Sequence, residues 1–163
     1  MVARTMMGRF SNRFVLCLFV FLAAVAAPAA ALEAFQRSSL TIETAGGGRF
    51  RFDIEVALTP AQQAQGLMFR EKMAPDAGML FIYDRPQPAA FWMKNTLIPL
   101  DMLFIGADGR IVNIHDRAVP LSEDAIRSAG PVKAILEING GMSARLGIRP
   151  GDRVLHTALG NAK

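Results

Sequence analysis

Phe50, Phe52, Ile54, Val56 and Leu58 alternate strictly with Arg51, Asp53, Glu55 and Ala57. A period of two over nine residues belongs to a β-strand with one face in a core and one face toward water. A helix would scatter these apolar side chains around its circumference. The fold is therefore expected to be built on a sheet. The neighbouring segments agree. Leu40-Thr41-Ile42-Glu43 alternates in the same way, and Gly46-Gly47-Gly48 supplies a turn between the two strands. Thr59-Pro60-Ala61-Gln62 then has the signals of a helix start, with a threonine cap, proline at the first position and a capping-box glutamine. Gly66 stops that helix early.

The first 31 residues are expected to stand outside the fold. Arg4, Arg9 and Arg13 precede an apolar run over residues 14–27, and Pro28-Ala29-Ala30-Ala31 follows. Basic, apolar and small-residue zones in that order make a secretory signal peptide, with cleavage expected after Ala31. The run is short against the roughly 20 apolar residues of a bilayer span. Cys17, in mid-run after Leu16, is a poor lipoprotein acceptor, and the remainder contains no cysteine. The leader holds three of the 18 basic residues and none of the 14 acidic ones, leaving 15 against 14. The sequence pI of about 9.8 therefore reflects the leader and gives no argument for nucleic acid. A periplasmic or secreted monomer with no membrane span after cleavage is expected, with residues 32–39 as a lead-in and residues 40–160 as one domain.

Further along, Gly78-Met79-Leu80-Phe81-Ile82-Tyr83 reads as an apolar strand, broken by Asp84-Arg85-Pro86-Gln87-Pro88. Phe91-Trp92-Met93-Lys94 and Asp101-Met102 read as two antiparallel strands around a compact loop, since Pro99 cannot donate to a ladder in mid-strand. Gly106-Ala107-Asp108-Gly109 turns the chain into Ile111-Val112-Asn113-Ile114-His115, so that residues 79–115 form a four-strand meander. A loop over residues 117–130, a strand over residues 133–138, a short helix ended by Gly147 and a last strand at Val154-Leu155 complete the chain. Seven short strands and two short helices predict an α+β fold, mainly antiparallel, as a small curled sheet or β-barrel. Core candidates are Phe50, Phe52, Ile54, Val56, Leu80, Ile82, Leu103, Ile105, Ile135 and Val154.

Several ordered blocks carry a resemblance. Gln65-Gly66-Leu67-Met68-Phe69-Arg70, Gly78-Met79-Leu80-Phe81, and Phe91-Trp92-Met93-Lys94-Asn95-Thr96 with Pro99-Leu100-Asp101 resemble domain-of-unknown-function family 192. Ala134-Ile135-Leu136-Glu137-Ile138, Leu146-Gly147-Ile148 and Gly151-Asp152-Arg153-Val154 are similar to that family's closing segment. The resemblance spans roughly residues 50–158 and implies a compact β-rich fold, often exported in bacteria, with no established activity. Some members carry a cysteine in the loop where this chain has Leu121-Ser122-Glu123, so no thiol chemistry is carried over.

The candidate ligand-binding residues are Arg70, Trp92, Lys94, Asn95, Thr96 and Asp101. Trp92 is the only tryptophan and shares a strand face with Lys94 in the expected hairpin. It either floors a groove for a flat ligand or forms a second layer of core. Asn95, Thr96 and Asp101 either meet a ligand or tie down the loop through backbone N–H groups. Arg70 either grips an anionic ligand or pairs with Glu137, itself read as a solvated edge charge or that partner. No catalytic residue, cofactor or metal is assigned. Gly-x-Ser-x-Gly is absent, and His115 and His156 fit no metal-ligand spacing. The function expected is an extracytoplasmic binding or accessory module for a polar or anionic envelope ligand or an envelope protein. The alternatives are a hydrolase using Asp101 with Glu137 or His115, and a metal carrier using Met68, Met73, Met79, Met93, Met102 and Met142.

Overall fold

The structure is a computed structural model and describes residues 32–162; the expected signal peptide lies outside the described residues. Nine strands, two α-helices and a closing 3₁₀ turn follow one another. They are β1 (Gln36–Glu43), β2 (Arg49–Ala57), α1 (Pro60–Gln65), β3 (Ala77–Gln87), β4 (Ala90–Phe91), β5 (Leu100–Ile105), β6 (Ile111–Ala118), β7 (Ile126–Arg127), β8 (Val132–Asn139), α2 (Met142–Leu146) and β9 (Arg153–Leu155). Seven strands form one sheet in the order β6-β5-β8-β3-β2-β1-β9, and β4 pairs with β7 apart from it. Every adjacent pair is antiparallel except β2 and β3. Strand β1 begins at Gln36, so part of the expected lead-in already lies in the sheet.

The alternation read at residues 50–58 sets the inner face. Phe52, Ile54 and Val56 are buried, and they pack with Leu40, Ile42, Leu80, Leu103, Ile105, Leu136, Ile138 and Val154 inside the curl. Helix α2 plugs one opening with Met142, and Ile148 joins the same cluster. Phe50 and Ile82 reach this core only partly, and Leu58 stands exposed beyond the strand's end. The sheet curls until its first and last strands meet. Ile111 N–H donates to the Asp152 carbonyl at 2.9 Å, Val154 N–H to the Gly109 carbonyl at 2.8 Å, and Arg110 bridges Arg153.

The expected meander over residues 79–115 is corrected by β8, which lies between β3 and β5 and separates them. The expected hairpin at Trp92 is corrected as well. Residues 92–99 form no strand, and β4 pairs with β7 through two residue pairs. The reason is apolar demand on the outer face. β3, β5 and β8 carry Met79, Phe81, Met102, Phe104 and Ile135 outward, and these need a cover of their own. The chain after β4 crosses over them, sinking Met93, Ile98 and Leu100 into a second core with Leu67 of the turn after α1. Every residue of β5 is buried in consequence.

Candidate functional site

Gly78 brings β3 and β8 into close approach, since a Cβ there would lie 2.6 Å from the Glu137 carbonyl oxygen. The register places Met79 of β3 and Met102 of β5 on either side of Glu137. Side chains directly opposite one another share a face. Glu137 thus stands on the outer face between two fully buried methionines, while Leu136 and Ile138 point inward. It is 4% exposed. The reading of Glu137 as a solvated edge charge or a partner for Arg70 is therefore corrected: β8 is a central strand, and Arg70 pairs with Glu55. Among the described residues no hydrogen bond or ion pair offsets the burial of the Glu137 carboxyl, and Glu137 lines the cavity. Burial pushes its pKa up to about 8, so it is held largely as the neutral acid at pH 7.

The cavity measures about 310 Å³. The last residues of α1 and the turn after it, residues 63–68, form one wall, and Ala90, Phe91, Trp92, Lys94 and Thr96 form another. Phe81 and Tyr83 of β3 join Glu137 from the sheet. The helix reads as its sequence predicts. The Thr59 hydroxyl accepts from Gln62 N–H at 3.1 Å, and the Gln62 side chain accepts from Thr59 N–H at 3.1 Å. Gly66 ends the helix at φ 49°, and a Cβ there would meet the Phe81 ring at 3.2 Å. Only glycine takes this backbone against that ring without strain. Phe81 and Phe91 stack edge to face, with ring centroids 5.0 Å apart.

The rim is held by loops tied to one another. Phe69 and Asn95, both at positive φ, are joined by the Phe69 N–H donating to the Asn95 carbonyl at 2.8 Å. Leu121, also at positive φ, donates to the Thr96 carbonyl at 3.1 Å, and Met93 N–H donates to the Ser122 carbonyl at 2.8 Å. Trp92 is 49% exposed, which sets aside the second layer of core, and it lines the cavity. Lys94 Nζ sits 5.1 Å from the centre of that ring and 3.9 Å from Glu123. Burial raises the Tyr83 hydroxyl above its usual range.

The structure gathers some of the candidate residues and disperses others. Trp92, Lys94 and Thr96 line the cavity. Asn95 sits behind them, its amide 3.7 Å from the Met68 sulfur. Arg70 lies in a separate hollow with Arg37, Arg51 and Lys72. Asp101 is fully buried at the other face of the sheet, in register with Ile138. There its Oδ1 accepts from Arg117 N–H at 2.9 Å and Gly141 N–H at 2.7 Å. Its Oδ2 accepts from Ser143 N–H at 2.8 Å and the Ser143 hydroxyl at 2.5 Å. Burial alone would raise this carboxyl, but the Ser143 hydroxyl and the three N–H groups outweigh it and hold it below its usual range. Asp101 secures the α2 turn, and it shares no cleft with Glu137. His115, opposite Met102, is exposed. His156 is buried at 5% exposure, its ring 3.0 Å from the Ser38 hydroxyl, where burial lowers its pKa. Met79, Met93, Met102 and Met142 are core residues, and among the described residues no three His, Cys, Asp or Glu side chains gather as a metal-holding group.

Sequence reasoning missed Gln63, Phe81, Tyr83 and the role of Glu137. One signal was present. Ala134, Ile135, Leu136 and Ile138 are apolar on both strand faces, which marks a central strand and so a buried glutamate within it.

The model of the family described as Uncharacterized ACR, DUF192, matches residues 41–156. The chain belongs to domain-of-unknown-function family 192. In this family 192 domain the matched span includes the whole cavity and Asp101. No curated protein matches it. A Sinorhizobium meliloti 1021 protein, described as a candidate transcription regulator, has a similar structure at TM-score 0.76 and 46% identity, covering 77% of this chain and 98% of that one. A Novosphingobium aromaticivorans DSM 12444 protein of unknown function is similar at TM-score 0.74 and 47% identity, covering 81% of this chain and 94% of that one.

Proposed function

We propose that this family 192 domain is an exported, non-catalytic binding or accessory module that takes a small polar ligand in the Trp92–Glu137 cavity. The observation that carries the reading is the cavity's mixed lining. Aromatic walls from Phe91 and Trp92 stand beside a few polar groups, namely Gln63, Gln65, Tyr83, Lys94, Thr96 and Glu137. Ligand sites are typically apolar concavities with a small number of placed polar groups. Asp101 and Glu137 face opposite sides of the sheet, which removes the convergent pair that hydrolysis by these two carboxylates would need. Nucleic acid stays outside the reading, because beyond the leader 15 basic residues meet 14 acidic ones. Export rests on the three-zone leader, and a mature protein recovered outside the cytoplasm should begin at Leu32 by intact mass.

The single tryptophan supplies the test. Emission from Trp92 is followed while the purified protein is titrated with amino acids, sugars, short peptides and organic acids of the cell envelope. A saturable shift with one class is the expected result. An emission and a melting temperature indifferent to every class would overturn the reading.

A further inference from the structure

We infer that the cavity takes an organic cation bearing N–H donors (an ammonium, amidinium or guanidinium group), its head against the Glu137 carboxylate and its body along the aromatic wall. This rests on the binding role proposed above and names the ligand's chemistry. Among the described residues Glu137 is the one acid lining the cavity, and no hydrogen bond or ion pair offsets its burial. A carboxylate offers about four acceptor positions, and an N–H cation matches them in charge and in hydrogen bonding together. A neutral polar group would match the hydrogen bonds alone, and an anion would meet a like charge wherever Glu137 is ionised. The wall fits the same chemistry. Aromatic faces attract cations, and the Lys94 ammonium already lies 5.1 Å from the Trp92 ring centre.

Few charged or titratable groups face Glu137. Tyr83 comes from β3 and Lys94 from the loop after β4, while residues 63–68 contribute none. Met79 and Met102 flank it, and beyond Met102 stands the exposed His115. Lys94 Nζ lies 3.9 Å from the exposed Glu123 carboxylate, which offsets part of its charge beside the cavity. Burial opposes ionisation of Glu137, so a cation must displace its proton below about pH 8, and binding tightens as the pH rises.

Benzamidine, benzamide and benzoate present one shape in three charge states, and benzamidine keeps its charge across the range used. Titrated against Trp92 emission, benzamidine should bind best and tighten about tenfold between pH 7 and pH 9, as the ionised fraction of a group with pKa about 8 rises. Calorimetry at pH 7 in two buffers should show close to one proton released per benzamidine. Glu137→Gln, which keeps the shape of the neutral acid, should melt as the wild type does at pH 5 and lose both the preference for benzamidine over benzamide and its pH dependence. Benzamidine binding no tighter than benzamide at pH 9, binding without proton release, or a preference that survives Glu137→Gln would each overturn the inference. If benzamide or benzoate binds with no advantage to benzamidine, the cation falls and the binding role stands. If the wider panel also fails to bind, both fall.

Discussion

Two buried carboxyls respond to pH in opposite senses. Glu137 is raised to about 8 from 4.5 by burial, so between those values the folded chain holds a proton that the unfolded chain has lost. Its share of stability is complete below about pH 4.5 and declines as the pH rises toward 8, at about 1.4 kcal/mol per unit of difference. Urea denaturation at pH 5 and pH 8 should show this loss in the wild type, and Glu137→Gln should abolish it. A wild-type curve parallel to that of the variant would show that Glu137 is solvated after all. Asp101 works the other way. Its carboxyl is held below 3.8, so its contribution is present above about pH 3.8 and is lost as the pH falls through the folded value. Asp101→Ala leaves three N–H donors without their acceptor and should cost about 3–5 kcal/mol at pH 7. A variant as stable as the parent in guanidinium would remove Asp101 from the role of turn support.

Strand β8 decides the arrangement of the elements. It pairs with β3 along one side and β5 along the other. Gly78 is a point of close approach. Gly78→Ala places a methyl group 2.6 Å from the Glu137 carbonyl oxygen, a backbone atom that cannot turn aside, and a loss of about 1–3 kcal/mol is expected from overpacking. An unchanged denaturation midpoint would mean that the two strands have room to part. What was legible in the sequence follows the range of the interaction. The Thr59 cap and the alternation at Phe52, Ile54 and Val56 are local, and their partners lie within a few residues or on one wet-and-dry face. The position of β8 depends on partners far along the chain. The Trp92 segment looked like a strand because Phe91 and Met93 are apolar, yet those side chains pack on the sheet's outer core. Only the second apolar face of β3, β5 and β8 explains that cover, and a pattern read one strand at a time does not show it.

At the scale of the whole molecule, one curled sheet separates two cores. Phe52 is 2% exposed in the inner one, and Phe52→Ala should cost about 3–5 kcal/mol in thermal or chemical denaturation. Wild-type stability there would mean that the inner face has been misassigned. The curl was foreseeable from many short strands and turns, and α+β with two short helices holds. The seam at Arg110 and Arg153 was not foreseeable, because it joins two edges that share no local pattern. The central place of β8 also bears on the order in which the chain can fold. Residues 132–139 follow most of the chain in sequence yet occupy the middle of the sheet. A chain emerging from the ribosome therefore holds β3 and β5 with no strand to join them until it is nearly complete. Fragments ending at residue 131 should melt without cooperativity and be cut readily by protease. Lateness of this kind keeps a polypeptide threadable, which the export proposed above would use.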